Sequence, residues 1–173
     1  MERNATLVNI PARFSGLFQR YKRKEQDTER AQAVVRLIII PFFVSYLVYV
    51  GLSQEFSSQF RAIYVSYWVY YVISSAVLFL CIVAWPGTYL LRRIFSMSHD
   101  YLAMTFAMSA GGETALPVYA ILLWVTVGNG LRYGPGYLIA ATAVALVALA
   151  ATTYFNSFWR SEPYVVVTLV MTA

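Results

Sequence analysis

The feature that most constrains this chain is a run of twenty-three residues, Ile63 to Trp85, without one charged side chain. As a helix rising 1.5 Å per residue, such a run crosses the ~30 Å hydrocarbon core of a bilayer. Further apolar blocks run from Val34 to Leu52, Leu90 to Ala110, Ala115 to Val127 and Tyr137 to Tyr154. A last block begins at Tyr164 and reaches Ala173, too short a stretch to span. Pro86 and Gly87 end the second block, and Gly111, Gly112 and Glu113 break the third. In lipid each backbone polar group must be satisfied inside its own segment, which favours helices. The expectation is an all-α, polytopic transmembrane helix bundle with five complete spans plus a truncated sixth. On this reading residues 1–33 form a basic cytoplasmic and juxtamembrane arm. Residues 34–173 form a transmembrane domain cut off before a cytoplasmic output domain.

Composition agrees. Hydrophobic residues make up 60% of the chain and charged ones 12%, about half the charge of an ordinary soluble domain. The net charge of +5 does not point to nucleic acid, because the cations cluster ahead of the first apolar block. Arg3, Arg13, Arg20, Lys22, Arg23, Lys24, Arg30 and Arg36 lie before it or at its mouth. With that end in the cytoplasm and the spans alternating, Arg92, Arg93 and Arg132 also fall inside. Only Arg61 and Arg160 fall outside, so the thirteen cations divide eleven to two. The positive-inside rule then sets a multi-pass membrane protein with a cytoplasmic N-terminus. The thirty-odd polar and basic residues before the first block do not read as a signal peptide. Leu7, Ile10, Phe14, Leu17, Phe18 and Tyr21 recur at helical spacing, which suits a helix lying in the membrane surface, or else a basic arm.

No catalytic constellation is visible. A lone cysteine, Cys81, and a lone histidine, His99, leave no metal site, and there is no phosphate loop or nucleophile elbow. The informative residues are polar groups inside the apolar blocks, which are costly in hydrocarbon. Asp100 lies seven residues past Arg93 and requires a partner or a proton; a signalling role and a structural interhelix bond both remain open. Glu113 follows two glycines, either a ligand approach or a plain turn. Glu29, Gln32 and Arg36 share one helix face, preceded by Asp27 and Thr28, which can cap the helix start. That stripe is either a signal-reading element or a cap followed by a snorkelling arginine. Asn129 and Arg132 lie in a glycine-rich run, where Arg132 can snorkel or pair with Asp100.

The run Trp124-Val125-Thr126-Val127-Gly128-Asn129-Gly130-Leu131-Arg132-Tyr133-Gly134, preceded by Leu116-Pro117-Val118-Tyr119, resembles the membrane input region of RpfC-type hybrid sensor histidine kinases. Asp27-Thr28-Glu29-Arg30-Ala31-Gln32 looks like that family's acidic juxtamembrane segment. Tyr137-Leu138, Ala140-Ala141-Thr142-Ala143 and Glu162-Pro163-Tyr164 extend the likeness. The resemblance implies a sensory input domain of a two-component phosphorelay, sensing diffusible signal factor, a fatty-acid-type quorum signal. Asp27, Thr28, Glu29 and Gln32 would then read the signal, with Asp100, Glu113, Asn129 and Arg132 as intramembrane coupling residues. It also implies membrane lipid, a homodimer and a response regulator as partners, and ATP with Mg only in a kinase domain beyond this chain. His99 lacks the context of a phosphoacceptor. The alternatives are the input domain of a membrane diguanylate cyclase and a small transporter.

Overall fold

The computed structural model describes the backbone of residues 12–173 except residue 88, and the side chains of residues 29–173 with the same exception. Every described element is helical. They are α1 (Ala12–Ser53), α2 (Ser58–Ala84), α3 (Leu90–Gly111), α4 (Leu116–Tyr133), α5 (Pro135–Phe155), α6 (Ser157–Ser161) and α7 (Pro163–Thr172). A single 3-10 turn, Gly112–Ala115, joins α3 to α4.

The apolar blocks become helices because nothing interrupts their backbone hydrogen bonding, and punctuation falls where the chain turns. Ser57 caps α2 by accepting from the Phe60 amide at 3.2 Å. Proline opens α5 and α7 at a position where its missing N–H costs nothing. Gly112 sits at φ +54°, a conformation that a Cβ disfavours, and there the chain doubles back. The reversal is visible in the cross-helix pairs: the Tyr101 hydroxyl lies 2.8 Å from the Thr126 hydroxyl, and the Arg93 guanidinium lies over the Tyr133 ring.

Small side chains let the helices close up. Ala103 and Ala107 of α3, and Ala141 and Ala145 of α5, are fully buried, as membrane helix interfaces favour. An aromatic cluster around fully buried Trp68, with Phe43, Tyr64 and Tyr71, fills the space between α1 and α2. The outward faces remain apolar: Phe42, Ile139 and Val147 are all exposed. A bundle that is apolar both inside and out suits a lipid surround.

Four candidate spans satisfy length and hydropathy together among the described residues: Glu29–Ser53, Ser58–Ala84, Leu90–Tyr133 and Pro135–Phe155. The expected count of five complete spans plus a sixth is therefore not supported. The third candidate is the doubled-back α3–α4 pair. Its legs carry His99 and Asp100, and Asn129 and Arg132, so neither is apolar throughout. The last apolar helix, α7, has ten residues. The first apolar block lies within a longer helix, since α1 runs unbroken from Ala12 with Pro41 inside it. Of the surface-helix stripe, Leu7 and Ile10 lie outside the described residues, as do the side chains of Phe14 to Tyr21.

Candidate functional site at the α1–α3–α4 junction

The polar residues converge at one end of the bundle, on the face of α1 that meets α3 and α4. Glu29 is 94% buried, because two arginines of α3 enclose it. Arg92 donates to Glu29 Oε2 at 2.7 Å and Arg93 donates to Oε1 at 2.9 Å. Arg92 also donates to the carbonyls of Trp85 and Gly87, tying the α2–α3 turn to the same carboxylate. Arg93 reaches the Tyr137 hydroxyl at 3.2 Å, and its guanidinium sits 4.1 Å from the Tyr133 ring centre.

One turn on, Gln32 accepts from the Tyr133 hydroxyl at 3.0 Å, bridging α1 to the end of α4. A further turn on, Arg36 ion-pairs with Asp100 and donates to Ser96 at 2.6 Å. Tyr71 donates to the second Asp100 oxygen at 3.2 Å. Both carboxylate oxygens are thus satisfied, as a buried charge requires. His99 stacks on Tyr71 with ring centres 4.6 Å apart and meets the Ser74 hydroxyl at 2.7 Å.

The two ion-paired levels are in register. Glu29 and Arg36 are seven residues apart on α1, and Arg93 and Asp100 are seven apart on α3. Both helices run the same way through the bundle, so the levels are separated by about 10 Å. Their polarity is opposite: acid on α1 and base on α3 at the first, base on α1 and acid on α3 at the second.

Glu29, Gln32 and Arg36, read as one face, all bond to α3 or α4. Asp100 joins them, but its partner is Arg36 and not Arg132. Arg132 instead lines a cleft beside the pair, along with Gln32, Arg36 and Asp100. Asn129 is fully buried in α4. Glu113 is not part of this site: it is exposed in the 3-10 turn at the opposite end. The side chains of Asp27 and Thr28 lie outside the described residues. Missing from the sequence reading were Tyr71, Ser96 and the pairing roles of Arg92 and Arg93. The seven-residue interval common to Glu29–Arg36 and Arg93–Asp100 was the signal that could have found the partners.

At the opposite end, α6 closes the carboxyl end of α3. The Trp159 indole donates to the Met108 carbonyl at 3.0 Å and Asn156 donates to Ser109 at 2.7 Å. Both carbonyls belong to the last turn of α3, and the Met108 carbonyl also accepts the Gly112 amide. Tyr119 of α4 donates to the Leu169 carbonyl at 2.5 Å, linking α4 to α7.

No protein-family model matches the chain. No solved structure matches it either. Two curated proteins do, both described as sensory/regulatory protein RpfC, from two strains of Xanthomonas campestris pv. campestris. Each is 34% identical over 141 residues, covering 80% of this chain and 19% of the relative. The chain thus spans about a fifth of the length of these relatives. The similarity and the apolar helices together fit a membrane sensory input domain in a multi-pass inner-membrane protein. The likeness to the membrane region of RpfC-type sensor kinases, read first from the glycine-rich run before α5, holds over four fifths of this chain.

Proposed function

We propose that this chain is the membrane-embedded sensory input domain of a bacterial two-component sensor histidine kinase that responds to a fatty-acid-type quorum signal. The similarity to sensory/regulatory protein RpfC carries this reading. The interhelix ion pairs give it a physical means: a signal that favours one arrangement of α1 against α3 shifts a two-state equilibrium. The polar stripe Glu29, Gln32 and Arg36 reads the signal at the cytoplasmic side, with Asp27 and Thr28 just ahead of it. Asp100, Asn129 and Arg132 transmit within the membrane, and Glu113 responds at the far end. The N-terminus is cytoplasmic, the protein works as a homodimer, and ATP, Mg and the response regulator belong to domains beyond this chain.

The test is autophosphorylation of the full-length protein in vesicles, titrated with a cis-unsaturated fatty acid and with its saturated counterpart. A dose-dependent change with the first is expected. Phosphorylation indifferent to both would remove the fatty-acid signal from this reading.

A further inference from the structure

Between α1 and α4 lies a lateral cleft. Ile39 and Phe43 of α1 wall one side, and Ile121, Trp124 and Val125 of α4 the other. Tyr71, Asp100 and Met104 form its floor, and Gln32, Arg36 and Arg132 its polar end. The enclosed part is about 60 Å³, too small for a whole acyl chain, so the remainder of a chain would lie along the open mouth against lipid. Charge decides what fits. Arg36 and Asp100 cancel, which leaves the positive charge of Arg132 at the end of an apolar groove. No described residue forms an ion pair with Arg132, whereas Glu29 already holds Arg92 and Arg93. A cation alone at the rim of hydrocarbon attracts one negative charge, and an apolar groove beside it suits one tail.

We propose that this cleft binds a single-chain fatty acid entering sideways from the bilayer, with Arg132 as the anchor for its carboxylate. The proposal rests on the fatty-acid reading above and deepens it: it places the headgroup on Arg132 of α4, beside Gln32 and Arg36 of the stripe that reads the signal. The tail lies along Ile39, Phe43 and Val125 and parts α1 from α4. The Gln32–Tyr133 bridge beside the polar end is the contact that must yield.

The experiment uses the full-length protein in phosphatidylcholine nanodiscs and palmitoleic acid carrying a diazirine. Labelled peptides should come from α1 and α4. Free palmitoleic acid should compete, while its methyl ester and phosphatidylglycerol should not. Arg132→Gln should weaken labelling roughly tenfold or more, the usual size of a lost charged hydrogen bond. Arg132→Lys should keep most of it, which guards against a folding defect. Val125→Phe, which fills the groove without changing charge, should also lose it. Wild-type labelling in both Arg132→Gln and Val125→Phe overturns the site, as does labelling confined to other helices. Equal competition by phosphatidylglycerol identifies a lipid groove instead and also overturns it. Phosphorylation measured in parallel separates the two claims. An unchanged fatty-acid response in Arg132→Gln sinks the cleft and leaves the signal standing; no binding and no response in wild type sink both.

Discussion

Arg36 of α1 and Asp100 of α3, sixty-four residues apart in sequence, form a buried ion pair in which each side chain is 9% exposed. Removing one partner leaves the other charge uncompensated. Asp100→Leu or Arg36→Met alone should each destabilise the bundle by about 3–5 kcal/mol, the usual cost of breaking such a pair. The double variant should recover much of that loss, because both desolvation costs disappear together. Thermal unfolding of all four proteins in one detergent checks it. Additive losses would mean that the two side chains do not interact.

Glu29 is the counter-ion of two arginines, so Glu29→Ala takes from Arg92 and Arg93 the carboxylate they share. Membrane insertion should survive, since the span that follows loses no apolar residue. On the proposed function, basal kinase output of the full-length protein should shift, or its fatty-acid response should vanish. Phosphorylation in vesicles at matched protein levels decides between this and a solvated helix-start residue, which would leave both unchanged.

Two glycines should resist substitution for different reasons. At Gly51 a Cβ would lie 2.3 Å from the Tyr64 ring, so Gly51→Ala must push α1 from α2. Overpacking of this kind costs about 1–3 kcal/mol. At Gly112 the obstacle is φ +54°, and Gly112→Ala should cost about 1–2 kcal/mol through the backbone. Melting temperatures of the single variants suffice; a wild-type value for Gly51→Ala would contradict the close α1–α2 approach.

The ends of the bundle should label from opposite sides of the membrane. In a Cys81→Ser background, Tyr89→Cys should react from the cytoplasmic face and Ser57→Cys from the outer face. Reaction of both with an impermeant maleimide from one side would refute the alternating arrangement.

The helical class was legible because apolar runs of that length have few other solutions. The polar face of α1 was legible too, since Glu29, Gln32 and Arg36 follow helical spacing. What α1 meets was not. Asp100 had two arginines within plausible reach, and only packing decides between them: small alanines on α3 and α5 bring those helices together and leave Arg132 at the cleft while α1 delivers Arg36. The span count failed for a related reason. Glycine signals mark a turn at Gly112, but the number of candidate spans depends on how apolar each leg is, and both legs carry polar groups for the site.

The opposite polarity of the two ion-paired levels limits how α1 can travel. Sliding α1 along α3 by two helical turns in one direction brings Glu29 level with Asp100, and in the other brings Arg36 level with Arg93. Either displacement sets like charges together in a medium that screens them poorly. A piston stroke of that size is therefore closed to this helix. Swinging is not: one level can open while the other holds, about 10 Å away. A message passing through α1 would then be carried as a change of tilt, pivoting about whichever ion pair stays closed.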